Sequence, residues 1–261
     1  MILRATLAAA AFALLSLTPA LAADSVLAAK VAGPQRSTEA RARDGARHPQ
    51  ASLEFWGLKP GQTVIEIAPG GGYWSEILAP YALATHGRYI AATGRSGQKL
   101  PAKFEDKAVY GDVHYTVFGK SSGALGAPGS ADLVLTARNV HNWMGGGFAD
   151  KAFADFYAVL KPGGILALEE HRADPKPMLP GASNGYVSTA HVIALAQKAG
   201  FKLDAKSEIN ANPKDTKDHP FGVWTLPPSR QSAANGDDPK FDHAKYDAIG
   251  ESDRMTLRFR K

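Results

Sequence analysis

Residues 63–79 confine this chain to a narrow set of folds. Thr63–Ala68 reads Thr-Val-Ile-Glu-Ile-Ala, a β-branched run suited to a strand. Pro69, Gly70, Gly71 and Gly72 follow at once, and Tyr73–Ala79 then carries Trp74, Ile77 and Leu78 at helical spacing. Pro80 is expected to end or kink that helix, because proline has no N–H for the ladder. A strand that turns through glycines directly into a helix is the opening unit of a cofactor-binding α/β sheet. Glycine accepts dihedrals that other residues resist and lets a ligand lie against bare backbone. The first helical amides then face a negative group such as a carboxylate.

The rest of the chain keeps the alternation. Strands are expected at Arg88–Thr93, Val113–Phe118, Asp132–Ala137 and Ile165–Glu169; the last two are apolar enough to be buried on both faces. Helices are expected at Gln50–Leu58, Phe148–Leu160 and Thr189–Ala199, the last capped by Ser188 and stopped by Gly200. Phe201–Ile209 and Met255–Arg260 alternate and read as closing strands. This order argues a doubly wound α/β sheet. Residues 210–251 break the rhythm with Pro213, Pro220, Pro227, Pro228 and Pro239, and read as a long insertion before the last strand. Its first part, 210–228, is expected to cover the strand ends, and 229–242 to be mobile.

The first residues are not part of that fold. A positive start at Met1–Arg4, an apolar run from Ala5 to Leu17, and Ala20-Leu21-Ala22 form the order of a secretory signal peptide cleaved after Ala22. The competing reading is an uncleaved anchor, since Ala5–Ala23 is just long enough to span a bilayer. The expected organisation is a signal peptide at 1–22, a helical or linker segment at 23–48, and one domain at 49–261. Removing 22 of 261 residues leaves 239 and lowers the net charge from +5 to +4, since only Arg4 is charged among them. With no block of consecutive basic residues, nucleic acid is not an expected partner. The chain has no cysteine, so disulfides, thiolate metal sites and cysteine nucleophiles are excluded. Arg43 and Arg47, four residues apart, read as the solvated side of a helix rather than a substrate clamp.

Glu66-Ile67-Ala68-Pro69-Gly70-Gly71-Gly72 resembles the first motif of class I S-adenosylmethionine (SAM)-dependent methyltransferases, with Ala68 in place of the usual first glycine. Leu58-Lys59-Pro60-Gly61, Asp132-Leu133-Val134-Leu135, Leu160-Lys161-Pro162-Gly163-Gly164 and Ala199-Gly200-Phe201 resemble that family's later segments in the same order. More closely, Arg47-His48-Pro49, Arg138-Asn139-Val140-His141-Asn142-Trp143, Asn212-Pro213-Lys214-Asp215 and Met255-Thr256-Leu257 resemble a group of exported predicted methyltransferases. The resemblance implies a Rossmann-like sheet, mostly parallel with an antiparallel closing strand. It implies SAM as cofactor, Glu66 at its methionine end, and Ala68, Pro69, Gly70, Gly71 and Gly72 beneath it. Thr93, at the end of the second strand, and Asn139, after the fourth, are the further cofactor-binding candidates. Thr93 stands where the family usually carries an acid for the ribose hydroxyls; it offers only one weaker oxygen.

His141 is the candidate general base, because imidazole titrates near neutral pH. Glu170 is its candidate partner; His171, the next residue on the strand, is expected to point the other way. Trp143 is read as a plug of the crevice and His191 as structural. Asp215, Asp218 and His219 match no metal spacing and read as a charged surface loop; no metal site is expected. Three functions fit these residues: an exported SAM-dependent methyltransferase acting on a small-molecule acceptor, periplasmic or secreted; a non-catalytic ligand- or partner-binding module on the same fold; and a dinucleotide oxidoreductase, which Ser75 in place of a third glycine disfavours.

Overall fold

A computed structural model describes residues 18–261, with side chains from residue 25 onward. Residues 1–17 of the expected signal peptide lie outside the described residues, and helix α1, Thr18–Ala32, runs through the expected cleavage point. No helix among the described residues is long and apolar enough to cross a membrane. Three short helices follow, α2 (Thr38–Arg41), α3 (Asp44–Arg47) and α4 (Pro49–Phe55). The sheet and its crossovers come next: β1 (Thr63–Ile67), α5 (Ser75–Ala84), β2 (Arg88–Thr93), α6 (Lys107–Tyr110) and β3 (His114–Val117). The second half runs β4 (Ala131–Ala137), α7 (Val140–Gly145), α8 (Ala149–Val159), β5 (Leu160–His171), α9 (Thr189–Lys198), β6 (Lys202–Ser207), α10 (Ala244–Ile249) and β7 (Arg254–Arg260).

The seven strands lie in the order β3-β2-β1-β4-β5-β7-β6. β1 pairs in parallel with β2 on one side and β4 on the other, and β7 runs antiparallel to both β5 and β6. This is the expected doubly wound sheet with one antiparallel strand. Strand order reverses between β1 and β4, so the crevice for a ligand opens at the carboxyl ends of those two strands.

Alternation along the central strands feeds two cores. Ile65, Ile67, Val134 and Leu168 join Phe118, Trp143, Phe153 and Phe156 on one face. Val64, Leu133 and Leu135 join Trp56, Trp74, Ile77 and Leu78 on the other. Glu66 therefore falls on the α5 face by strand periodicity. Trp143 is 3% exposed and edge-packed on Phe118 and Phe156, so it is part of the first core rather than a plug of the crevice.

Two local expectations are corrected. α5 begins at Ser75 and continues through Pro80, rather than ending there. Proline at position 80 frees the carbonyl of Glu76, four residues back, and Gln35 Nε2 donates to that oxygen at 3.3 Å. β5 starts earlier than expected, since Leu160 pairs with Ala131 before the register shifts at Leu133.

The segment before β7 is held by its own polar network. Asn210 donates to Ser52 Oγ and Thr256 Oγ1, and Asn212 to the carbonyls of Ile249 and Glu251. Asp215 and His219 are buried, not a charged surface. Asp215 accepts from Tyr186 Oη, from the Asp253 amide and from His219 Nε2, so its charge is solvated by protein donors. Glu251 is the larger node: it accepts from Arg43 Nε at 2.7 Å, from Arg47 Nε at 3.0 Å, and from Arg254 Nη1. Arg47 is 1% exposed, which overturns its reading as a solvated helix side.

Removing one partner of a buried ion cluster leaves uncompensated charge and costs about 3–5 kcal/mol. Glu251→Ala should lower the unfolding free energy by that amount in urea denaturation, with Glu251→Gln intermediate. A loss below about 1 kcal/mol would show that the cluster does not hold the N-terminal helices to β7.

Candidate functional site

β1 ends by delivering Glu66 and then the turn at 68–72 into the crevice. Ala68 (φ 49°), Gly70 (φ 58°) and Gly72 (φ 92°) all adopt positive φ, so the chain reverses tightly there. A cavity of about 340 Å³ lies against the turn, lined by Glu66, Ala68, Pro69, Gly70 and Gly71 from one side. Arg43, Arg47 and Tyr73 close it from another, with Arg138 and Asn139 at the β4 end. That volume lies within the usual range for small-molecule sites, about 300–1,000 Å³. A Cβ on Gly70 or Gly71 would meet no atom within 4 Å, so the bare backbone there faces open space.

Gly72 and Thr93 are corrections. Gly72 does not line the cavity; a Cβ there would sit 2.7 Å from the Phe104 ring, so packing requires that glycine. Thr93 is buried and spends its hydroxyl on the Gln98 carbonyl at 3.1 Å, within its own loop. Asn139 lines the cavity, but its Nδ2 ties the strand ends together by donating to the carbonyls of Ile67 and Ala137.

Glu66 is 2% exposed, and its Oε2 accepts from Tyr89 Oη at 2.6 Å and Ser75 Oγ at 2.8 Å. Burial outweighs those bonds and pushes its carboxyl up to about 7. Such a group is poised to ionise when a cation arrives beside it.

A second, polar cavity of about 180 Å³ adjoins the β4 end, lined by Arg138, His141, His171, Trp224, Glu251 and Ser252 among others. His141 Nδ1 lies 3.0 Å from Glu170 Oε1, and His171 Nδ1 2.6 Å from Ser252 Oγ. Glu170 is fully buried and lines neither cavity; it also accepts from the Val140 and His171 amides. It can therefore orient His141 but does not itself reach a ligand. The expectation that Glu170 and His171 point apart fails, because the glutamate side chain folds back onto its neighbour's amide. Ligand atoms of His141, Glu170 and His171 all come within 4.8 Å of one another, a spacing that suits a metal ion. Burial and the charges of His141, Arg138 and Arg254 hold His171 well below the ordinary histidine range, so it is neutral at physiological pH.

Sequence reasoning missed Arg138 and Trp224 at this cavity. Arg138 sits inside the quoted Arg138–Trp143 run, directly before Asn139, and its φ of 60° is unusual for a side-chain-bearing residue. Trp224 comes from the proline-rich insertion, and its ring lies 5.8 Å from His141. His191 is half-buried on α9 and lines a separate groove of about 930 Å³ beside Met144 and Phe148, away from the glycine turn.

The raised Glu66 carboxyl has a stability signature. The folded chain holds this proton more tightly than the unfolded chain, so its contribution is present below about pH 4.5 and is lost as pH rises through about 7. The difference amounts to about 3 kcal/mol. Glu66→Gln should gain about that much on the parent protein between pH 4.5 and pH 8 in urea titrations. Parallel pH profiles for the two proteins would contradict the assignment.

No family model matches the chain. It is 30% identical over 140 residues to the ubiquinone/menaquinone biosynthesis C-methyltransferase UbiE of Hydrogenovibrio crunogenus, covering 52% of each chain. The chain thus spans about half the length of the curated relative it matches. Its structure is similar to that of a SAM-dependent methyltransferase from Aquifex aeolicus, with a TM-score of 0.52 at 18% identity over 72% of this chain and 93% of that one. A putative sarcosine dimethylglycine methyltransferase from Galdieria sulphuraria gives 0.52 at 13% identity over 85% and 87%. The [4+2]-cyclase SpnF gives 0.58 at 14% identity over 88% and 85%, so likeness of fold does not by itself fix the reaction. Strand order, glycine turn and these likenesses agree: the chain has the fold of the class I SAM-dependent methyltransferases.

Proposed function

We propose that this chain is an exported SAM-dependent methyltransferase acting on a small polar acceptor. The observation that carries the reading is the bare turn at 68–71, open to a cavity at the sheet's switch point with Glu66 in its wall. Export is supported by the signal-like order of residues 1–22.

The residues present suit the amino-acid end of SAM. Glu66 would take its ammonium group, and the turn leaves room for its chain against Gly70 and Gly71. The ribose end has Thr93 in place of the usual carboxylate, and that hydroxyl donates to the Gln98 carbonyl. When bound, the cofactor supplies a sulfonium methyl group for in-line displacement, a reaction helped mainly by positioning. Against a dinucleotide, Ser75 stands where the third glycine would be and is fully buried against Glu66.

The acceptor's place is the polar cavity beside Arg138. His141 lines it, and the bond from Nδ1 to Glu170 fixes the ring so that Nε2 is the nitrogen left to take a proton. An acceptor hydroxyl would lose its proton there as the methyl group arrives; an amine with a free lone pair needs no base first. Glu170 acts as a positioning residue.

Calorimetric titration with SAM, S-adenosylhomocysteine and NAD tests the reading. S-adenosylhomocysteine should bind and NAD should not. Gly70→Asp should weaken S-adenosylhomocysteine at least about 100-fold, near 3 kcal/mol, because its side chain enters the open space the turn now faces. Near pH 6 binding should release close to one proton from Glu66, seen as a buffer-dependent enthalpy that Glu66→Gln abolishes. Binding of NAD alone, or of no nucleoside, would overturn the proposal.

A further inference from the structure

The wall between the two cavities carries more positive charge than the protein neutralises. Arg43, Arg47, Arg138 and Arg254 gather there around two carboxylates, Glu169 and Glu251. Glu251 is shared among Arg43, Arg47 and Arg254, and Glu169 pairs with Arg254. Among the described residues no ion pair or side-chain hydrogen bond joins Arg138 to anything. Its Nε is buried without a partner, and so are Nη2 of Arg43 and Nη2 of Arg47. A guanidinium N–H removed from water and left unpaired is costly, and an arginine fork is shaped to take a carboxylate.

Position strengthens the point. Arg138 lines both the glycine-turn cavity and the His141 cavity, whereas Arg43 and Arg47 line only the first. Its backbone is held at φ 60° while its amide donates to the Glu169 carbonyl at 2.8 Å. A side-chain-bearing residue at positive φ is strained, and such strain persists where surroundings over-determine it. The Tyr73 ring, with Arg47 4.4 Å and Arg43 5.9 Å from its centroid, keeps the other two guanidiniums in place.

We propose that Arg138, backed by Arg43 and Arg47, is a carboxylate-binding residue at the junction of the two cavities. The carboxylate has two possible sources, the cofactor's own amino-acid end or an acidic acceptor, and this choice rests on the methyltransferase reading. The site itself does not.

The test compares S-adenosylhomocysteine, 5′-methylthioadenosine and benzoate by calorimetry on the purified protein and on Arg138→Met. 5′-Methylthioadenosine keeps the thioether nucleoside and lacks the amino acid; benzoate is a carboxylate without a nucleoside, with benzamide as its neutral control. If the cofactor supplies the carboxylate, Arg138→Met weakens S-adenosylhomocysteine at least 30-fold and leaves 5′-methylthioadenosine within twofold. If the acceptor supplies it, both nucleosides stay within twofold. Benzoate then binds the S-adenosylhomocysteine-saturated parent and not the variant, and benzamide binds neither. The proposal is overturned if the two nucleosides weaken together, or if no ligand responds to the substitution. Should Arg138→Met fail to fold, Arg138→Lys retains the charge without the fork and should still weaken the responding ligand at least threefold; an unchanged affinity overturns the proposal. Failure of both nucleosides to bind the parent sinks the methyltransferase reading. Benzoate titrated into the free protein then decides the carboxylate site alone.

Discussion

Glu251 joins two parts of the chain that sequence keeps far apart. Its carboxylate takes Arg43 and Arg47 from the N-terminal helices and Arg254 from the first residue of β7. The Arg47 and Arg254 contacts are buried and the Arg43 contact partly so, a setting where charge interacts strongly and an unpaired member is penalised heavily. The same glutamate lines the His141 cavity, and the arginines it holds line the glycine-turn cavity. One carboxylate therefore sets where the cover over β1 meets the wall behind β4. The outer bonds of Asn210 and Asn212 only make sense with that junction in place, because they tie the same stretch to α4 and β7.

The sheet then decides which side chains meet. Parallel pairing of Ile67 with Thr136 puts the ends of β1 and β4 level, so residues 68–71 and 138–139 face one crevice. Asn139 locks that arrangement by donating to the Ile67 carbonyl across the gap. From β5, paired with β4 up to Ala137 and Glu169, comes Glu170, which holds His141 by Nδ1. The His141 ring is thus oriented by backbone register plus one buried hydrogen bond.

Much of this architecture was legible because it rests on local pattern. The β-branched run before Pro69, the apolar β4 and the glycine stops each follow from period and turn chemistry, and the antiparallel closing strand follows from the resemblance. Sequence and structure part where a residue's partner lies outside its own element. Arg47 looked solvated because its helix is short and polar, yet Glu251, 204 positions away, buries it. Asp215 looked like surface until Tyr186 and the Asp253 amide surrounded it. Thr93 was a reasonable ribose contact until its hydroxyl turned back to Gln98. The motif treats its glycines alike and so sets Gly72 under a ligand, but the neighbour that forbids a side chain there is Phe104. Periodicity carries no information about such partners.

The electrostatics of the two cavities are complementary in a way that neither shows alone. Beside the turn, a buried Glu66 with its carboxyl near 7 offers a negative charge that is cheap to neutralise and ready to form against a cation. Beyond Arg138, burial first, then His141 and the nearby guanidiniums, hold His171 well below the ordinary histidine range, and the arginines present unpaired N–H groups. A zwitterion lying along the wall would meet its ammonium partner at one end and its carboxylate partner at the other. An acid without an ammonium group would satisfy only the arginine side. On that proposal, Glu66 and Arg138, which parallel pairing of β1 and β4 brings to the same cavity, would select by charge pattern as well as by shape.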